Sequence, residues 1–151
     1  YESGLRLFLS SILENEEAVF DALQDLYIRI LKKIDLFIKA DDLKSYLFRA
    51  AKNEALKFKR SNRRYKNKIN RSCEFKPKHD NSPISTIDNA NYLSHLFTGL
   101  SEEQRLVIVL HFFESFSFQE IEKILGLSRK TIYRRKHDAL EYLRNHLQNK
   151  L

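Results

Sequence analysis

The chain has 151 residues, of which 31% are charged and 42% apolar, a balance that permits a packed interior and excludes wholesale disorder. Three glycines and two prolines are too few for a sandwich or barrel, whose turns recur every ~8–12 residues. A formal net charge of +7 suits a polyanionic partner, because Lys and Arg that neutralise phosphates release counterions. One cysteine, Cys73, leaves no internal disulfide to form and points to a reducing compartment. The longest apolar run, residues 106–110, is far short of the ~20 residues of a membrane span, and no leader-like segment opens the chain. The expectation is a cytoplasmic chain with no direct membrane insertion.

From Leu5 to about Arg64 apolar residues recur at helical spacing. Phe20, Leu23, Tyr27, Ile30, Leu31 and Ile34 form an i, i+3, i+7 series that predicts one buried stripe. Leu43, Leu47, Ala50, Ala51 and Leu56 predict a second amphipathic helix, with Asp41 or Asp42 as its N-cap. Periodicity stops between about Tyr65 and Thr86, where both prolines, Pro77 and Pro83, stand among Asn, Ser, Lys and Asp; this composition predicts a flexible linker. The expected fold is therefore all-α, with two small helical domains (residues 1–64 and 87–151) joined by a linker at 65–86.

Helical signals return with explicit punctuation. Ser101 with Gln104, and Ser117 with Glu120, have the spacing of capping boxes. Gly126 can take the left-handed conformation that ends a helix, and Ser128 can start the next. Residues 106–113 could pass for a buried strand, but the cap before them and the lack of a partner strand favour helix.

The helix with Phe118, Ile121, Ile124 and Leu125 inward, the turn Gly126-Leu127-Ser128, and a longer helix with Ile132, Ala139, Leu140, Leu143 and Leu147 inward make a helix-turn-helix. That unit, which ends the C-terminal domain, presents its second helix to the major groove. Ser128, Arg129, Lys130, Thr131, Tyr133, Arg134, Arg135 and His137 stand along the start of this second helix. Arg and Lys there can pair with guanine or with phosphates. An ordinary helical hairpin with a solvated basic face is the plain counter-reading, and the clustering of cations at one helix start argues against it.

Several segments together resemble a family. Leu100-Ser101-Glu102-Glu103-Gln104-Arg105, Phe118-Gln119-Glu120-Ile121, Leu125-Gly126-Leu127-Ser128 and Thr131-Ile132 resemble the fourth conserved region of bacterial RNA polymerase sigma factors. Residues 21–29 (Asp-Ala-Leu-Gln-Asp-Leu-Tyr-Ile-Arg) resemble the family's core-polymerase-binding helix. Residues 46–53 resemble the start of its promoter-melting helix. Two domains in this order, joined by a linker, are similar to the extracytoplasmic-function group of the sigma-70 family.

The resemblance implies that Asp21, Gln24, Asp25 and Ile28 dock on core polymerase, and that the recognition helix reads the upstream (−35) promoter element. It also implies that the loop with Lys39 and the helix with Asn53, Lys57, Arg60, Arg63 and Arg64 engage the downstream (−10) element. The run 57–71 holds eight basic residues and no acid; such runs are usually solvated faces, but beside a DNA-reading helix phosphate contact is the better reading. Tyr46, Phe48 and Phe58 could stack on bases, yet core packing is the expectation for each. An anti-sigma partner is a further implication of the family.

Three positions depart from the family pattern. Glu122 stands where a small residue is usual, Lys136 where an apolar one is, and Asp138 where a basic one is common. A buried unpaired charge would be costly, so Glu122 is expected to pair with Arg135 or Lys136, with the Lys stem covering apolar surface. No catalysis, cofactor or metal is expected: Cys73 and His79 lack further ligands nearby, His111 on an apolar helix reads as a core or boundary residue, and no Gly-rich phosphate loop occurs. Two other readings stay open, a helix-turn-helix regulator acting without core polymerase and a module that only sequesters a partner through its acidic N-terminal helix.

Overall fold

The computed structural model describes residues 1–70 and 95–149, side chains at 69 and 70 excepted. In chain order the helices are α1 (Glu2–Ser10), α2 (Glu16–Lys32), α3 (Ile34–Ile38), α4 (Leu43–Asn70), α5 (Glu102–Ile108), a π-helical turn (Val109–Phe113), α6 (Phe118–Leu125) and α7 (Arg129–Gln148). The architecture is all-α, in two domains.

In the N-terminal domain α1, α2 and α4 pack on one another. The Asn15 side chain caps α2 by accepting from the Ala18 amide at 2.7 Å, which satisfies one of the orphan amides of a helix start. Asp42 opens α4 in the same way, accepting from the Ser45 amide at 3.0 Å; the Ser45 hydroxyl also donates to its carboxylate, which holds Asp42 below the ordinary carboxylate range. Leu47, Ala50 and Ala51 are buried as the spacing predicts. Phe48 is also fully buried, and Tyr46 and Phe58 are half-buried.

The stripe expected on α2 is displaced. Ala18, Val19, Ala22, Leu23 and Leu26 face the core, while Phe20, Tyr27, Leu31 and Ile34 are exposed, Leu31 by 71%. Leu23 is common to both faces, Ile30 is half-buried, and Ile34 belongs to α3 after the break at Lys33. The apolar residues of α2 spread over more than half of its circumference, so periodicity admits two faces about 100° apart. Close packing selects the one with Ala18 and Ala22, whose small side chains let α2 approach its neighbours.

Helix α4 also continues to Asn70, past residue 65 where the linker is expected to start. Residues 57–70 contain neither Gly nor Pro and are rich in Lys and Arg, which are good helix formers. The remainder of the expected linker, residues 71–86, with Cys73 and His79, lies outside the described residues.

In the C-terminal domain the caps stand where the sequence places them. The Ser101 amide donates to Gln104 Oε1 at 2.9 Å and the Gln104 amide to Ser101 Oγ at 3.3 Å. Ser117 and Glu120 repeat the exchange at 2.7 and 3.3 Å, and the Thr131 amide donates to Ser128 Oγ at 3.3 Å. Gly126 adopts φ 69°, which L side chains disfavour. The helical assignment of residues 106–113 holds, with one difference. After Ile108 the backbone loosens into a π turn, closed by Glu114 N–H to Val109 C=O at 3.1 Å. This keeps Val109 and Leu110 buried while turning Phe112 and Phe113 outward.

The domains meet along α4. Phe48 lies edge-on to Phe8 (centroids 5.3 Å apart) and to Phe116 (5.2 Å), so buried residues of both domains join in one apolar core. Around these rings the seam is polar. Lys44 Nζ sits 3.3 Å from the Glu114 carboxylate and 4.7 Å from the centre of the Phe116 ring. Lys52 donates to the Leu125 carbonyl at 2.6 Å, and its burial lowers its pKa from the ordinary lysine value. Lys59 pairs with Glu102. Arg105 donates to the Ser11 carbonyl through Nε and Nη2, both at 3.2 Å.

The corrected face of α2 makes a direct prediction. Leu26→Ala should lower the unfolding free energy by about 2–5 kcal/mol, whereas Leu31→Ala should change it by no more than about 0.5 kcal/mol. Urea titration of the two variants checks this, and equal losses would restore the stripe expected from periodicity.

Candidate nucleic-acid interface

The start of α7 is held by local chemistry. Ser128 caps the helix, and its hydroxyl lies 2.9 Å from that of Thr131, so both groups serve the cap. Arg129 Nη2 sits 3.0 Å from Glu122 Oε2, and Arg135 Nε sits 2.7 Å from Glu103 Oε2. Both arginines are therefore pinned within the domain. Lys130, Arg134 and His137 form an exposed i, i+4, i+7 strip with no ion pair to another described residue. Tyr133, 51% exposed, rests on the Phe118 ring at 4.4 Å between centroids.

Glu122 thus pairs with neither Arg135 nor Lys136. Its partner is Arg129, nearly two turns nearer the loop, because α6 and α7 diverge from the Gly126 turn and Arg129 stands close to it. Lys136 instead lays its stem over aromatic surface, with Nζ 5.1 Å from the centre of the Phe118 ring and 5.7 Å from that of Phe112. A lysine can occupy an apolar position in this way, burying its methylenes and keeping its charge over π faces. His111 completes the cluster as a boundary residue, stacked on Phe118 at 4.6 Å, with Nδ1 3.1 Å from the Phe116 carbonyl.

The second set of predicted contacts lies on α4. Asn53, Lys57, Arg60 and Arg64 follow i, i+4, i+7, i+11 along one exposed face, with Arg63 beside them. Their base is fixed by Glu54, which is only 3% exposed. Its carboxylate takes a 2.7 Å bond from Arg29 Nη1 of α2 and an ion pair at 3.5 Å from Lys57. Lys39 is exposed at the end of α3, so it is near α4 in the fold but not on the same stripe.

The third set shares a face of α2. Asp21, Gln24, Asp25 and Ile28 are spaced i, i+3, i+4, i+7; Asp25 is half-buried, the others are exposed, and Ile28 is 50% exposed. Leu31, Leu36 and Ile38 add exposed apolar surface at the same end of the domain. The sequence reading missed that contribution because it assigned Leu31 to the core. It missed Glu54 as well, since a lone glutamate in a basic helix carries no sign of burial.

The ion pair that replaces the expected one is open to measurement. A double-mutant cycle on Glu122 and Arg129 should give a coupling of about 0.3–1 kcal/mol, as for a partly exposed pair. The cycle on Glu122 and Arg135 should give none. The reverse ranking would show that the pairing expected from sequence prevails in solution.

Both domains have counterparts among known proteins. Residues 1–65 match the family described as Sigma-70 region 2, and residues 96–145 match Sigma-70, region 4. The chain is 24% identical over 155 residues to the ECF RNA polymerase sigma factor SigX of Bacillus subtilis (strain 168), covering 98% of this chain and 80% of that protein. It is 23% identical over 134 residues to the RNA polymerase sigma factor SigV of the same organism, covering 89% of this chain and 78% of that one. The fold is similar to that of the sigma factor RpoE of Bartonella quintana, solved in complex with the anti-sigma factor NepR. There the TM-score is 0.74 at 25% identity, over 95% of this chain and 89% of that one. With region 2 and region 4 in this order on one chain, and two sigma factors similar to it over most of their length, the protein belongs to the sigma-70 family, in its extracytoplasmic-function group.

Proposed function

We propose that this chain is an alternative sigma factor, which binds core RNA polymerase and directs it to specific promoters for transcription initiation. The observation that carries this reading is the presence of both sigma regions on one chain, each with an exposed basic helix face, on α4 and on α7. In this reading Lys130, Arg134, His137 and Tyr133 meet the −35 element, and Arg129 joins them when a phosphate competes for it with Glu122. Ser128 and Thr131 shape the helix start, and Arg135 steadies α7 through Glu103. Asn53, Lys57, Arg60, Arg63 and Arg64, with Lys39, meet the −10 element and its phosphates. The mixed acidic and apolar face of Asp21, Gln24, Asp25 and Ile28 docks on core polymerase.

The domain division follows from the same reading: region 2 over residues 1–64, with its last helix running on to Asn70, a linker from there to residue 86 and region 4 over 87–151. The chain contributes recognition, and phosphodiester chemistry belongs to the polymerase. Its place of action is the cytoplasm, where promoter and polymerase are; among the described residues no helix is long and apolar enough to cross a membrane. An anti-sigma partner also belongs to this reading, as the RpoE neighbour was solved with one.

Run-off transcription with core polymerase on a genomic fragment library tests the proposal. Initiation from a defined subset of fragments is expected only when the chain is added; tight duplex binding by the chain alone, without stimulated initiation, would favour a regulator that acts without the polymerase. Arg134→Ala should cut specific initiation by about 5–150-fold, the range for loss of a base or phosphate contact of about 1–3 kcal/mol, with unfolding unchanged. Ile132→Ala should instead destabilise the fold by about 2–5 kcal/mol.

A further inference from the structure

The ion pair between Glu122 and Arg129 is built asymmetrically. Arg129 donates from Nε at 3.3 Å and from Nη2 at 3.0 Å, and both bonds end on one oxygen, Glu122 Oε2. A guanidinium carries its N–H donors in a fixed planar fork. The carboxylate therefore takes one side of the fork. Neither bond uses Nη1 or the outer donor of Nη2, which together form the far end. The carboxylate is also the better sheltered partner: the Glu122 side chain is 28% exposed and that of Arg129 55%.

The pair stands where a helix-turn-helix reads DNA. Arg129 is the first residue of α7, and the N-terminal residues of a recognition helix are those that meet base edges. Lys130 stands beside it and Tyr133 follows one turn later, both exposed. Glu122 reaches the same spot from α6, the first helix of the motif.

Two donors side by side at the end of a guanidinium match O6 and N7 of guanine, the commonest specific contact in the major groove. An arginine free to swing loses side-chain entropy when it makes that contact. Arg129 is already fixed by Glu122, so less is lost. The same carboxylate repels phosphates. On DNA of arbitrary sequence a phosphate must draw Arg129 away from it, which lowers the gain. On guanine the ion pair stays intact, and both the side and the end of the fork are satisfied.

We infer that Arg129 reads one guanine of the element bound by α7, which on the sigma-factor reading is the −35 element, and that Glu122 is the positioning residue that holds its guanidinium for that contact. Glu122, where the family usually has a small residue, thereby takes part in the choice of promoter. Its charge acts on one base pair, through Arg129, and not on the packing of the motif.

Selection from randomised duplex DNA tests this, with the full chain alone at low salt and again with core polymerase added. Wild type should enrich a sequence in which one position prefers guanine over adenine by about 5–150-fold, the discrimination of one bidentate contact. Arg129→Lys keeps the charge and loses the fork; it should abolish the preference at that position and leave the others unchanged. Glu122→Gln keeps the shape and removes the charge. It should weaken the same preference by about 2–5-fold, the equilibrium factor of an exposed ion pair, and raise binding to unselected duplex, with helical circular dichroism retained in both variants. A guanine preference that survives Arg129→Lys, or no enriched sequence in either arm, would overturn the base contact. Loss of the preference in Arg129→Lys with no change in Glu122→Gln would overturn the positioning role. If the chain alone selects the guanine and core polymerase sharpens nothing, the base contact is supported and the sigma-factor reading fails.

Discussion

One aromatic ring ties the molecule together. Phe48 is fully buried between Phe8 of α1 and Phe116 of the C-terminal domain, and edge-to-face contacts of this kind add to the burial of large rings. Through it α4 serves as the spine of both domains. Its inner face carries Leu47, Phe48, Ala51 and Ala55 into the core, its flank carries Lys44, Lys52 and Lys59 into the seam, and its outer face carries the basic stripe. A 28-residue helix has enough circumference and length to do all three, because residues spaced by three or four share a face and those between do not.

Much of the fold could be read from the sequence wherever the determining interaction is local. The serine caps at 101, 117 and 128 and the left-handed Gly126 require only neighbouring residues, and the helix-turn-helix follows from them. Predictions that depended on a distant partner fared differently. The buried face of α2 is set by how closely α1 and α4 approach, which favours Ala18 and Ala22 over the larger Phe20 and Tyr27. The π turn answers to tertiary packing too, since one extra residue lets Leu110 stay buried while the chain turns toward Phe116. Glu122 was rightly singled out as a charge that needs a partner, but the choice of Arg129 over Arg135 depends on the divergence of two helices. Of the residues proposed to contact DNA, the sequence could indicate type and helix face; it could not show that Arg135 is occupied by Glu103.

The seam explains why the two domains can be tied without being fused. An all-apolar joint of the same extent would leave a large hydrophobic patch on each domain when opened, and such patches drive association. Here the apolar part is concentrated on Phe116 and its neighbours, and the rest consists of lysines and an arginine bound to carbonyls and carboxylates. Interfaces between domains of one chain are commonly polar for this reason. On opening, each cation exchanges a protein oxygen for water, and the net cost of such an exchange is small compared with the bond itself.

That chemistry also links the seam to the face of α4 proposed to meet nucleic acid. Lys52 and Lys59 come from the same helix as Asn53, Lys57 and Arg60, and they are cations facing carboxylate or carbonyl oxygens. Phosphate oxygens offer the same kind of acceptor with more charge. A polyanion approaching α4 would therefore compete for side chains that hold the domains together, and added salt would weaken its exposed contacts more than the half-buried ones of the seam. A phosphate that took Lys52 or Lys59 would therefore weaken the seam by linkage.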